Sequence, residues 1–176
     1  YNIFRGFTSE ENVDFAPTII ELAGGENRSD EFDGNSFKLV LDGKSFESRE
    51  SLYCELGYGR AVVKGDYKYY AVRYPDYARS WTPNQRDSVL TRYNKGREYR
   101  SMNVVNRDPS LPFSHLEVVP GGGAAENGSY GKLPGYFDLD QLYNLTDDPN
   151  EMKNLAKDSE HQKILSEMKA ELQKYL

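Results

Sequence analysis

The sequence predicts an α+β fold: an antiparallel β-sheet of about four strands, an amphipathic C-terminal helix packed on it, and a short helix with a connector ahead of both. Three observations predict it. Residues 51–74 hold three short runs rich in Tyr and Val, separated by glycine turns. Residues 138–145 form a further extended run around Leu142 and Leu145. From Ser159 onward, Ile164, Leu165, Met168, Leu172 and Tyr175 recur on one helical face, with Lys163, Glu167, Lys169 and Glu171 outside it.

Along the chain, residues 1–12 show no clear periodicity. Asp14 is the expected N-cap of a helix in which Ala16, Ile19, Ile20 and Ala23 recur at helical spacing until Gly24-Gly25 stops it. The polar, glycine-bearing stretch from Gly25 to Asp33 is a connector. Phe37, Leu39 and Leu41 alternate as in a strand before Asp42-Gly43 turns, placing a domain boundary near residue 45, between residues 1–45 and 46–176.

Beyond it, Ser51–Leu56, Arg60–Val63 and Tyr67–Tyr74 read as an antiparallel meander, with Lys64-Gly65-Asp66 turning into the third strand. Tyr67, Tyr69, Ala71 and Arg73 face one way and Lys68, Tyr70, Val72 and Tyr74 the other, so one face is expected to be covered and the other partly open. Thr82-Pro83-Asn84-Gln85 is a capping box for a helix carrying Val89, Leu90 and Tyr93, ended by Gly96. Residues 97–135 offer short candidate strands at Met102–Val105 and Leu116–Val119 among prolines and Gly121-Gly122-Gly123. Long irregular connectors form binding loops or plain surface excursions, and either fits here. A second capping box is expected at Asp148-Pro149-Asn150-Glu151, with Leu155 and Ala156 as apolar plugs. A third, Ser159-x-x-Gln162, starts the last helix, whose mixed-sign polar face favours core packing over membrane or partner binding.

Composition narrows the function classes. The chain has 176 residues, a net charge of −6 and a pI near 5.1, which argues against a nucleic-acid partner. No apolar run approaches the ~20 residues a membrane span needs, and the first residues as given do not read as a basic-apolar signal, so the chain as given is expected to be soluble. Opening at Tyr1 rather than Met, the chain is expected to be a processed or truncated piece. A single cysteine, Cys54, excludes an internal disulfide and is expected to be a buried strand residue. The sequons at Asn27, Asn127 and Asn144 are at the level of chance.

Three stretches, in order, carry a family resemblance. Asp138-Leu-Asp-Gln-Leu-Tyr-Asn-Leu-Thr-Asp-Asp-Pro-Asn-Glu-Met-Lys-Asn-Leu-Ala156 resembles the C-terminal signature of sulfatases, the sulfuric ester hydrolases of the alkaline-phosphatase-like superfamily. Asp14-Phe-Ala-Pro-Thr-Ile-Ile-Glu-Leu-Ala-Gly24, followed by Asp33-Gly-Asn-Ser-Phe37, resembles the helix and connector that close the α/β catalytic domain. Arg60-Ala-Val-Val-Lys-Gly-Asp-Tyr-Lys-Tyr69 resembles the hairpin of the C-terminal subdomain. The resemblance implies that residues 1–45 are the tail of the catalytic domain and residues 46–176 the C-terminal subdomain. It implies a periplasmic or secreted protein.

Sulfate-ester hydrolysis needs an in-line nucleophile, a cation on the sulfuryl oxygens and an acid for the leaving group. The family supplies the nucleophile as formylglycine, made within Cys/Ser-x-Pro-x-Arg. Here Cys54 is followed by Leu56 and Tyr58 at the proline and arginine positions, and Ser110-Leu-Pro-Phe-Ser114 lacks the arginine, so no catalytic residue is assigned. The family's calcium ligands precede the Asp14 helix. Asp138, Asp140, Asp147 and Asp148 fit no calcium loop, so no metal site or other cofactor is assigned within the chain. Calcium and formylglycine are implied for the parent enzyme alone.

Candidate substrate-binding residues are His115 in the unmatched connector, and Arg73, Arg79, Trp81, Arg86 and Arg92. Guanidinium forks beside an aromatic platform suit a sulfated or carboxylated sugar; the same arginines equally read as solvated strand and helix edges. His161 is expected to be solvated. The expected function is therefore that of a sulfatase C-terminal portion that supports its catalytic domain, shapes the pocket for a sulfated carbohydrate, and is inert alone. An independent carbohydrate-binding or interaction module and the C-terminal part of a related phosphohydrolase are the alternatives. A severed subdomain should expose apolar surface around the Asp14 helix.

Overall fold

The computed structural model describes residues 11–26, 30–45, 49–104, 108–110, 134–135 and 138–176. The expected strand at Leu116–Val119, the triple glycine and His115 lie outside the described residues. The chain divides into two compact units, Tyr1–Leu52 and Tyr53–Leu176.

In the first unit a 3₁₀ turn, Asn12–Asp14, runs into α1 (Phe15–Leu22), and a four-residue helix α2 (Lys38–Leu41) follows. Asp14 does not cap α1 with its side chain. It is buried, accepting the Glu11 N–H at 2.7 Å and the Asn35 N–H at 2.7 Å, and pairing with Arg49. One turn on, the Thr18 hydroxyl donates to the Asp14 carbonyl at 2.6 Å and accepts the Phe37 N–H at 3.0 Å. The two N-terminal motifs are thus one polar clasp, with Asp14 and Thr18 holding Asn35 and Phe37. Gly34 is required because a Cβ there would stand 2.0 Å from the Val13 carbonyl oxygen. The expected strand at Phe37–Leu41 is a helical turn instead. Among the described residues no partner strand covers Leu39 or Leu41, which are exposed, and Lys38 pairs with Asp42 at 2.9 Å across one turn.

The second unit is built on a sheet of β1 (Leu52–Leu56), β2 (Gly59–Lys64), β3 (Tyr67–Val72) and β4 (Asp140–Asn144), in the order β1-β2-β3-β4. β2 and β3 are antiparallel, with Val62 opposite Tyr69, and β3 and β4 are antiparallel, with Tyr69 opposite Leu142. Gly65 makes the hairpin turn at φ +57°. Between β3 and β4 the chain leaves the sheet and forms α3 (Asp76–Arg79) and α4 (Pro83–Tyr99). After β4 come a 3₁₀ turn, Ser159–His161, and α5 (Gln162–Gln173).

α5 covers one sheet face. Leu165, Met168 and Leu172 pack on Val62, Tyr69, Ala71 and Leu142, with Leu155 and Ala156 plugging the end of the layer. Each buried Val, Leu or Met here contributes roughly 1.5–3 kcal/mol relative to exposure. The opposite face is covered in part. Val72, Tyr74 and Ala78 form a second cluster with the half-buried Tyr58, Tyr70, Trp81 and Leu139, so this face is covered at its Val72 end and partly open at Lys68 and Tyr70.

Several local readings are corrected. Pro149 starts no helix: Glu151 takes a left-handed φ of +57° and bonds Lys68 at 2.8 Å instead of reaching back, while Asp148 accepts the Lys153 N–H at 2.7 Å in a closed turn. The last helix is entered through Asp158, which accepts the Glu160 N–H, not through Ser159. Glu171 is buried, bonded to Lys64 and Lys174, each at 2.8 Å, because its position on α5 meets β2. Cys54 is exposed, since β1 is the edge strand and its second half is uncovered. Met102–Val104 is not a strand. His161 is half-buried, its Nδ1 3.2 Å from Asp158. Among the described residues no helix is long and apolar enough to cross a membrane.

Candidate functional site

The excursion between β3 and β4 carries most of the candidate residues. Thr82 caps α4 as the sequence indicates, accepting the Gln85 N–H at 3.3 Å while the Gln85 side chain accepts the Thr82 N–H at 2.9 Å. Gly96 does not end the helix. It is interior, and Ser101 supplies the left-handed terminus at φ +54°, with the Ser101 and Met102 N–H groups donating to the Glu98 and Arg97 carbonyls at 2.9 Å each.

That extension matters for the site. Carried past Gly96, α4 aligns Arg92, Gly96 and Arg100 at four-residue intervals on one side. Together with Trp81, Val89 and Tyr93 they line a groove of about 350 Å³. Trp81 also borders a second depression of about 390 Å³ lined by Asn84, Gln85, Ser88 and Val89. The indole is half-buried, packed on the Val72–Tyr74–Ala78 cluster, and its centroid lies 6.1 Å from that of Tyr77.

Among the described residues, Arg92 and Arg100 make no ion pair; Arg100 donates its Nε–H to the Gly96 carbonyl at 3.1 Å. Arg97 turns away, donating to the Asn103 carbonyl with its guanidinium 5.7 Å from the Tyr93 ring centroid. Arg79 sits 3.6 Å from Asp76 on the exposed short helix. Arg86 is half-buried and lines neither depression.

Arg73 is separated from all of these. It lies on the α5 face, where it donates to the Leu139 carbonyl at 2.5 Å and to Asp140 at 2.8 Å. With Arg60, Tyr69, Lys169, Gln173 and Leu176 it lines a cleft of about 430 Å³. The cations of this larger cleft each have a carboxylate partner: Arg60 pairs with Glu55 at 2.7 Å, and Arg73 and Lys169 share Asp140 at 2.8 and 3.3 Å. Burial by itself would raise the Asp140 carboxyl, but hydrogen bonds from Tyr69 and Arg73 and the charges of Arg73 and Lys169 hold it at about 2. Burial, then the bond to Asp140, pushes the Tyr69 hydroxyl well above its ordinary value. This is a closed structural network.

The structure thus brings Trp81 and Arg92 together, adds Tyr93 and Arg100, and puts Arg73 on the other face of the sheet. Arg100 escapes a reading that stops the helix at Gly96; its signal is the Arg92-x-x-x-Gly96-x-x-x-Arg100 spacing. Among the described residues no three His, Cys, Asp or Glu side chains converge as a metal site. Asp138 is engaged by Asn154 at 2.8 Å and by Lys157 at 3.4 Å.

No family model and no curated protein matches this chain. Among solved structures, a candidate sulfatase from Bacteroides thetaiotaomicron superposes with a TM-score of 0.50 and 23% identity, over 92% of this chain and 23% of its own. The chain has the fold of a sulfatase segment. A 2-O glycosaminoglycan sulfatase aligns with a TM-score of 0.49 and 22% identity, over 92% of this chain and 23% of that one. A structure in complex with its substrate D-glucosamine-2-N,6-O-disulfate aligns with a TM-score of 0.49 and 19% identity, over 93% and 23%. The chain therefore spans 23% of the length of these proteins. At the level of fold, the sulfatase resemblance carried by the three motifs is borne out: an open four-stranded antiparallel sheet with a helix packed on it.

Proposed function

We propose that this chain is the C-terminal portion of a sulfatase acting on sulfated carbohydrates, in which it supports the catalytic domain and shapes the substrate pocket without itself breaking the ester bond. The observation that carries the reading is the apolar side of α1 and of the turn that leads into it. Val13, Phe15, Ile19 and Leu22 are 46%, 54%, 61% and 54% exposed, while only Pro17 and Thr18 of the helix are buried. A contiguous apolar row left open marks an interface, here with the remainder of the catalytic domain. The fold likeness to proteins some four times longer supports it.

The proposal assigns calcium and formylglycine, implied by the family resemblance for a complete sulfatase, to the catalytic part outside this chain. Periplasmic or secreted placement belongs to the same reading, as does a phosphate ester in place of sulfate should the upstream nucleophile be Thr or unmodified Ser.

The test is reconstitution. The isolated chain is expected to show no turnover of a chromogenic aryl sulfate. The upstream catalytic part, expressed separately, should gain turnover of a sulfated sugar when this chain is added, and Ile19→Glu should weaken that gain by lowering association. Turnover by the isolated chain that survives Cys54→Ala overturns the proposal.

A further inference from the structure

We propose that the groove of Trp81, Arg92, Tyr93 and Arg100 is a subsite for a sulfated oligosaccharide, with the indole as stacking platform and the two guanidinium groups addressing separate sulfates. The biological setting rests on the function proposed above; the binding itself needs only this unit of the chain.

Charge is the first argument. The chain is net −6, yet residues 79–100 hold six basic side chains against two acidic ones. Density of charge alone does not make a site, since most surface arginines are solvated or paired. The contrast between the two clefts is what selects this one. In the larger cleft, under α5, Arg60, Arg73 and Lys169 each have a carboxylate partner. An anion entering there must displace Glu55 or compete with Asp140. In the α4 groove Arg92 and Arg100 have no carboxylate among the described residues, so an incoming sulfate meets uncompensated forks of the geometry that oxyanions match in bidentate fashion.

Shape is the second argument. Sugar rings bind to flat aromatic faces that are already held in place, because a fixed platform loses little entropy on binding. Trp81 is held from beneath by Val72, Tyr74 and Ala78, and it borders both depressions. The second depression it borders is lined by Asn84, Gln85 and Ser88, whose amide N–H groups and hydroxyl oxygen are the chemistry that pairs with sugar hydroxyls. Arg92 and Arg100 are eight residues apart, about 12 Å along the helix axis. That backbone separation leaves room for the two guanidinium groups to meet separate sulfates, on one sugar ring or on neighbouring ones.

Trp81 is the chain's only tryptophan, so its fluorescence reports occupancy directly. Titrating the 176-residue chain with a disulfated glycosaminoglycan disaccharide should change Trp81 emission saturably, with calorimetry as the second readout. The desulfated disaccharide should bind at least 10-fold more weakly. Arg92→Gln and Arg100→Gln should each weaken binding about 10-fold, the loss of one charge-assisted contact. Trp81→Ala should abolish calorimetric binding, and Lys169→Gln, in the other cleft, should leave it unchanged. All variants are compared by circular dichroism first; α4 presents Arg92 and Arg100 to solvent, so their replacement should not unfold it.

Equal binding of the desulfated sugar, equal loss on Lys169→Gln, or equal saturation by inorganic sulfate at the same concentration would each overturn the assignment. Failure of binding beside intact reconstituted sulfatase activity sinks the subsite alone. Specific binding beside a reconstituted protein with no sulfatase activity sinks the enzyme reading alone.

Discussion

Asn154 does for Leu142 what a fifth strand would do. Its Oδ1 accepts the Leu142 N–H at 3.0 Å and the Ala156 N–H at 2.9 Å, while its Nδ2 donates to the Asp140 carbonyl at 3.1 Å and to the Asp138 carboxylate at 2.8 Å. The Leu155 N–H then donates to the Leu142 carbonyl at 2.8 Å. One side chain closes the edge of β4 and delivers Leu155 and Ala156 into the core. Because Leu142 is fully buried, Asn154→Ala strands its N–H without an acceptor. The expected loss is about 1–3 kcal/mol in urea or guanidinium unfolding; a change under ~0.5 kcal/mol, the scale of ordinary surface substitutions, would contradict this role.

Asp140 sets an acid limit on stability. Its folded carboxyl titrates at about 2, below the ordinary 3.8, so the stabilisation is fully present above pH 3.8 and is lost as pH falls through about 2. The side chain is about one-third exposed, so after allowance for solvent screening the effect is on the order of 1 kcal/mol. Unfolding free energy measured between pH 5 and pH 2 should fall less steeply in Asp140→Asn than in the parent. Parallel curves would remove Asp140 from the account.

Gly34→Ala should loosen the first unit and spare the second. The new Cβ would collide with the Val13 carbonyl at 2.0 Å, and backbone must move to relieve it, at a cost of at least ~1–3 kcal/mol. Limited proteolysis followed by mass spectrometry should show faster cutting before residue 52 and unchanged protection of residues 138–176. Uniform loss of protection would show that the units do not respond separately.

Ile19→Lys with Leu22→Lys should raise solubility and leave the melting temperature of the isolated chain within a degree or two, since both side chains are already more than half exposed. A marked drop in melting temperature would mean that these residues are buried in solution.

Sequence and structure agree where local chemistry is decisive. Thr82–Gln85 forms its capping box, the hairpin turns at Gly65, and the Leu165–Met168–Leu172 face meets the sheet. They part where a distant partner wins. Glu151 has the right spacing to cap Asp148, but Lys68 lies across the sheet, 83 residues away, and takes it. Phe37, Leu39 and Leu41 alternate like a strand, but the Phe37 N–H goes to the Thr18 hydroxyl at 3.0 Å and, among the described residues, no strand pairs with this stretch. Gly96 reads as a stop because a helix interior disfavours glycine by only ~1 kcal/mol relative to alanine, too little to end α4 before Ser101. Of the candidate site, Trp81 and Arg92 are legible as residue types. Their union with Arg100 needs the true length of α4. The alternation of β3 already sets Arg73 on the Tyr69–Ala71 face, but that Trp81 returns to the opposite face, on Val72 and Tyr74, is a tertiary fact the local pattern does not carry.

The rim position of Cys54 bears on handling. A lone thiol standing in solvent on an outermost strand allows two copies to be joined through oxygen-driven cross-linking, so the apparent mass of a preparation should follow its exposure to air and revert with a reductant. The same thiol offers one reaction point for a spectroscopic tag, far in sequence from the tryptophan it would report to.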